Sequence, residues 1–285
     1  MKAGIGSRVA DWLRLPDVPT SEAEAESDAR LVSHRGVVER RPGFRQVAVD
    51  MQAEISSVVD DATEACSNRT ILEIGAGVIA LSTANNDVLS SDLRFSSDLD
   101  LNLSAYELPV RDRALRAVVA QNVFHHLPDY SSALAEMARV VEPGGVIVLV
   151  EPYHGWMARR VFPALFSFEG YDVSADRCAS RDSLPNQALS YIVFERDLHE
   201  FQSSFPDLRL EFTRPMRSGM RYLATGGLNF RQLAPTIALR GLRRAERSRL
   251  GATLESGLAL HWMIVLRVTG TTNTESRPAL QTPRS

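Results

Sequence analysis

Lysine is almost absent from this sequence: Lys2 is the only one, and every other basic side chain outside histidine is arginine. That absence excludes any Tyr-x-x-x-Lys proton relay. Cysteine is nearly as scarce. Cys66 and Cys178 form neither a metal-ligand spacing nor a disulfide framework, which suits a reducing compartment. No apolar run reaches the roughly 18 residues a membrane span requires, and the N-terminal residues lack a secretory apolar core, so a cytoplasmic location is expected. Charge of one sign is lacking too: the formal net charge is −3, too small to point to a nucleic-acid partner. Internal repeats and low-complexity tracts are missing. What is present is ordinary for a globular chain, with 44% hydrophobic and 24% charged residues over 285 positions. One domain with extensions fits that length better than two independent ones.

The most informative stretch is Thr70-Ile71-Leu72-Glu73-Ile74-Gly75-Ala76-Gly77. It reads as a short strand covered on both faces that ends in an acid and turns on two glycines. Glycines there let the backbone turn tightly and let a ligand lie against it, and such a turn leading into a helix is a nucleotide-binding corner. A second strand, Asp87 to Asp92, ends in a carboxylate able to accept hydrogen bonds from ribose hydroxyls. The apolar run Leu115–Ala120, broken only by Arg116, opens into Gln121-Asn122-Val123-Phe124-His125-His126-Leu127-Pro128-Asp129. Asp129 or Ser131 can cap a helix carrying Leu134, Met137, Ala138 and Val141 at helical spacing. Glu142-Pro143-Gly144-Gly145 then stops that helix before the buried strand Val146–Val150. Strands alternate with helices, which argues for an α/β domain with a largely parallel sheet.

Residues 71–152 resemble the Rossmann-like class of S-adenosylmethionine-dependent methyltransferases. The resemblance rests on Leu72-Glu73-Ile74-Gly75-Ala76-Gly77, Asp92, Glu107-Leu108-Pro109, His125-His126-Leu127 and Arg139-Val140-Val141-Glu142-Pro143-Gly144-Gly145, in that order and spacing. It implies an α/β fold with a mostly parallel seven-stranded sheet flanked by helices and an antiparallel last strand. It also implies S-adenosylmethionine as cofactor, held by Glu73, Gly75, Ala76, Gly77, Asp92, Ser104, Ala105 and Asn122. A weaker similarity through Phe194-Glu195-Arg196-Asp197, Phe205-Pro206-Asp207-Leu208 and Tyr222-Leu223-Ala224-Thr225-Gly226-Gly227 extends to bacterial members of the class associated with glycan assembly. The chain departs from the family pattern at four places. Ile79 replaces a third glycine, which would crowd the entry to the helix. Ser104 stands where an acid commonly faces the adenine amino group, Arg116 replaces an aspartate, and Asp92 to Leu101 is too short for the usual helix.

Acceptor chemistry is less legible. Asn122 falls at the mouth where donor and acceptor meet. His125 and His126 are the candidate general bases, since imidazole titrates near neutrality, although the same pattern also serves structurally at a helix start. Glu151 with these histidines lacks a diagnostic ligand spacing, and no metal is expected. The aromatic, partly basic run Trp156–Phe168 sits where the class inserts a substrate cap, and reads as acceptor pocket, lipid contact or core. Arg240, Arg243, Arg244 and Arg247 share a helix face that is either solvated or suited to a phosphate-bearing acceptor. Oxygen of a small molecule or glycan intermediate is the favoured acceptor. Two rivals stand beside this reading: a catalytically silent methyltransferase-like binding domain, and an NAD-dependent oxidoreductase, since Gly75-x-Gly77-x-x-Ala80 with Asp92 also satisfies a loose dinucleotide fingerprint.

The chain divides on these grounds into an N-terminal segment 1–69, a methyltransferase domain 70–270 with its cap over 153–205, and a tail 271–285. Within the first, 17–30 reads as a mobile acidic loop and Phe44–Ala65 as a helix packing on the sheet. The polar tail reads as disordered. Leu208–Phe212 and Leu258–Val268 read as the closing strands.

Overall fold

The computed structural model describes residues 12–16, 28–81, 87–166, 169–176 and 185–270. The tail expected to be disordered, most of the expected acidic loop, and parts of the cap lie outside the described residues. In chain order the elements are α1 (Asp28–Arg40), α2 (Pro42–Ala62), β1 (Ile71–Ile74), β2 (Val88–Asp92), β3 (Leu101–Asn102), β4 (Leu115–Gln121), α3 (Tyr130–Val140), β5 (Val141–Pro152) and α4 (Ala158–Leu165). After a helical turn at Leu189–Arg196 come α5 (Leu198–Ser204), β6 (Leu208–Pro215), α6 (Gly219–Thr225), α7 (Thr236–Glu246), α8 (Arg249–Leu258) and β7 (His261–Val268). Residues 28–30, read from sequence as loop, begin α1.

Seven strands form one sheet in the order β3-β2-β1-β4-β5-β7-β6. The pairs from β3 to β5 are parallel, and β7 lies antiparallel to both β5 and β6. Side chains alternate across a strand, so the continuous apolar runs feed two cores at once. On one face Leu72, Val118, Ile147 and Leu149 pack with Leu134 and Met137 of α3 and with Phe124 and Phe194. On the other Ile71, Val119, Val146 and Val148 meet Val47, Met51, Ile55 and Val59 of α2. Pro42 opens α2 at its first turn, and the spacing of three and four carries its apolar stripe onto the sheet. Asp129 caps α3, its Oδ1 accepting from the Ser132 N–H at 3.1 Å.

One expectation fails locally. Between β1, which ends at Ile74, and β2, which starts at Val88, residues 82–86 lie outside the described residues. α2 packs on this face against Ile71, Leu81 and Val88, while Gln52 donates to the carbonyls of Ile79 and Ala80 at 3.1 and 2.9 Å. Glu142-Pro143-Gly144-Gly145 does not lie outside the sheet. It belongs to β5 itself, as an irregularity in the pairing with β4.

Arg116, the residue in an aspartate's place, is buried and fully engaged. It donates to the Arg69 carbonyl at 2.8 Å, the Thr63 hydroxyl at 2.9 Å and Asp60 Oδ1 at 2.8 Å, which ties the end of α2 to β4.

Candidate active site

The carboxyl ends of β1, β2, β3 and β4 open into a cavity of about 690 Å³. Parallel α/β sheets place ligands at this edge, where the strands end and the chain turns away. Gly75, Gly77, Asp92, Ser104, Ala105 and Asn122 all line the cavity, so the fold gathers six of the eight residues the family resemblance implied. Gly75 takes φ +70°, and a Cβ there would fall 2.2 Å from Val123 Cγ2. Only glycine fits that corner. Asp92 receives the Gly77 N–H on Oδ2 at 3.1 Å and the Arg94 N–H on Oδ1 at 3.0 Å. Each carboxylate oxygen keeps a second lone pair for a ligand hydroxyl. Asn122 holds φ +54°, a left-handed backbone rare outside glycine, with its N–H fixed on the Val150 carbonyl at 2.8 Å. Such an outlier at a strand end, in a cavity wall, is a mark of a working position.

Glu73 and Ala76 are placed differently. The Ala76 N–H donates to the Ser91 carbonyl at 2.9 Å, and neither residue lines the cavity. The Glu73 carboxylate is buried behind the glycine turn and accepts the Leu81 N–H at 2.6 Å. Burial raises its pKa to about 7 against the opposing pull of that hydrogen bond. Ile79 is not a lining residue either, so it does not crowd the cavity.

His125 and His126 also line the cavity. His125 sits in the short helical turn Phe124–His126 that follows β4. Its Nδ1 lies 2.5 Å from Glu151 Oε2. Glu151, fully buried at the end of β5, also accepts the N–H groups of Val123, Phe124 and His125 at 2.9, 2.9 and 3.3 Å. A carboxylate is acceptor-only, so His125 Nδ1 carries the proton of that bond. The Nε2 edge faces Glu169 Oε2 at 3.7 Å. Burial pulls the His125 pKa down, but Glu151 and Glu169 together outweigh it and raise it. Burial and the neighbouring His125 lower His126 to about 3, so its imidazole is neutral. The two rings stack with centroids 4.2 Å apart. Burial would raise the Glu169 pKa, but the bond to His125 prevails and lowers it.

Residues 52–149 match the family model described as a methyltransferase domain. Over that stretch, about a third of its length, the chain is similar to the class I S-adenosylmethionine-dependent methyltransferases. Two Mycobacterium bovis proteins, from different strains and both named uncharacterized methyltransferase, are 26% identical to it over 51% of this chain and 64% of theirs. The alignment thus spans less than two thirds of those relatives' length. The Haemonchus contortus phosphoethanolamine N-methyltransferase 2, solved with S-adenosyl-L-methionine, is 12% identical with a TM-score of 0.44, over 88% of this chain and 60% of that one. A geranyl diphosphate methyltransferase solved with sinefungin is 11% identical with a TM-score of 0.42, over 75% of this chain and 78% of that one. At that distance neither speaks to the substrate.

The sequence did not single out Glu169, Gln187 or His261, and gave Tyr222 only within a weaker family similarity; all four line the cavity. They come from the cap, α6 and the start of β7, and no local pattern connects them to the histidines. The buried atoms Gln187 Oε1 and His261 Nδ1 have no hydrogen-bond partner in the protein. Phe162 and Phe166 of the aromatic run pack with Phe230 and Leu260 and also line the cavity. Within the arginine row, Arg243 binds Asp50 at 2.8 and 2.5 Å. No helix among the described residues is long and apolar enough to cross a membrane.

Proposed function

We propose that the protein transfers a methyl group from S-adenosylmethionine to an oxygen of a hydroxyl-bearing small molecule or glycan-type intermediate. The observation that carries this reading is one continuous cavity, lined at one end by Gly75, Asp92, Ser104 and Asn122 and at the other by His125, His126 and Glu169. The residues fit the cofactor: a glycine corner that a Cβ would fill, and a carboxylate with lone pairs to spare.

Asp92 would bind the ribose hydroxyls, the backbone at Gly75 and Gly77 would lie against the nucleoside, and Ser104 and Ala105 would border the adenine. Glu73 supports this corner from behind by holding Leu81. When bound, the cofactor supplies an already electrophilic sulfonium methyl. The protein's task is mainly alignment of the nucleophile and removal of its proton. Asn122, in the cavity wall just after β4, would set that alignment. The His125–His126–Glu169 cluster is where the acceptor oxygen docks and loses its proton. Buried polar groups are normally satisfied, so the unmet Gln187 Oε1 and His261 Nδ1 favour an acceptor carrying several hydroxyls.

Thermal denaturation tests the cofactor. S-adenosylhomocysteine should raise the melting temperature, as a ligand of the native state does, and NAD should not. Asp92→Ala should fold and bind about 10- to 150-fold more weakly, the equivalent of a charge-assisted hydrogen bond of about 1.5–3 kcal/mol. A shift with NAD and none with S-adenosylhomocysteine would restore the oxidoreductase reading. Cofactor binding without methyl transfer to any hydroxylated acceptor would leave a silent binding domain.

A further inference from the structure

We propose that His125, His126 and Glu169 form a binding site for one divalent transition-metal cation, with Zn²⁺ the best match, at the acceptor end of the cavity. One ligand atom from each residue falls within 4.8 Å of the others. Ligand atoms about 2.0–2.1 Å from a tetrahedral zinc stand roughly 3.3–3.5 Å apart, so the three need to close by about an ångström. His125 Nε2 and Glu169 Oε2, at 3.7 Å, are already nearly there.

The surroundings are those of a metal site more than of a simple ion pair. A metal-binding histidine typically donates its other ring N–H to a carboxylate, which fixes the tautomer and aims the free lone pair. His125 does this to Glu151, itself locked by three backbone N–H groups. Glu169 is steadied in turn by Gln187 Nε2 at 2.5 Å and by Arg30 at 3.7 Å. Glu151 alone already neutralises a charged His125, so a second carboxylate on the opposite ring edge is surplus to a simple pair. Two nitrogens and one oxygen leave coordination positions open toward the cavity, as in zinc sites that act on substrates. The role of such an ion rests on the methyl-transfer reading: bound to the acceptor hydroxyl, it would lower that group's pKa. The binding itself does not rest on that reading.

The test is calorimetric titration of the metal-stripped full chain with ZnCl₂, without cofactor or acceptor, in a Cys66→Ser/Cys178→Ser background that removes both thiols. One equivalent should bind, and His126→Ala and Glu169→Gln should each weaken binding at least 10-fold while melting cooperatively. A separate titration with S-adenosylhomocysteine reports on the cofactor lobe, so failure of one reading is distinguishable from failure of the other. No stoichiometric binding, or binding unchanged in both variants, overturns the proposal. So does a Glu169→Gln variant that only loses stability in chelator, since Glu169 is then just a counter-ion for His125.

Discussion

A carboxylate that resists ionisation leaves a signature in stability against pH. Glu73 titrates near 4.5 when exposed and near 7 in the folded protein, because burial penalises its charge. The native state therefore holds the proton more tightly across that interval. Its stabilising contribution is complete below 4.5, falls as pH rises, and is lost above 7. Glu73→Gln should raise stability at pH 8 by up to about 3 kcal/mol relative to the parent, and the gain should vanish by about pH 4. Urea unfolding at both pH values checks this; a gain equal at both would mean the carboxyl is not buried as charge. Sequence marked Glu73 as the acid closing a strand. Whether that acid faced the ligand or the protein interior depended on the path of 75–81, which no residue pattern fixed.

Elements show where local pattern suffices and where it does not. α2, α3 and the buried strands were legible because their apolar spacing has one physical solution. The region between β1 and β2 was not, because a glycine turn can lead into a helix or straight back to the sheet. Here α2 packs beside the glycine loop, and Gln52 is its point of attachment, with both bonds made to carbonyls in that loop. Gln52→Ala should cost about 1–3 kcal/mol by stranding these carbonyls. It should also weaken S-adenosylhomocysteine binding several-fold without touching the cavity wall. Stability and affinity measured on one preparation decide it: lost stability with unchanged affinity would show that the loop holds its shape unaided.

At the scale of the whole molecule, the mostly parallel seven-stranded sheet was readable, and so was the meeting of Gly75, Gly77, Asp92, Ser104, Ala105 and Asn122 in one cavity. The cluster around the histidines was not. His125, Glu151, Glu169, Gln187 and His261 meet from five separate segments, and nothing in the row of arginines pointed to Asp50 of α2 as the partner of Arg243. Asp50 joins three elements at once, binding Arg221 of α6 at 2.6 Å and Arg243 of α7 at 2.5 Å. Arg221 is buried and also pairs with Glu246. Asp50→Asn should destabilise the protein by about 3 kcal/mol, toward the lower end for a broken buried pair, because Glu246 remains to hold Arg221. The midpoint of urea unfolding should fall with it. An unchanged midpoint would show that α6 and α7 stay docked on their apolar contacts alone.

The position of β7 has a bearing on biosynthesis. β6 pairs only with β7, and β7 fills the gap between β6 and the long strand β5. While the chain emerges from the ribosome, β5 presents a bare hydrogen-bonding edge and β6 has no neighbour to zip onto until residues 261–268 arrive. Open strand edges recruit other chains, so this is the interval in which a nascent molecule is most exposed to wrong partners. The same late segment carries His261 into the cavity wall, so the pocket is completed by the strand that seals the sheet.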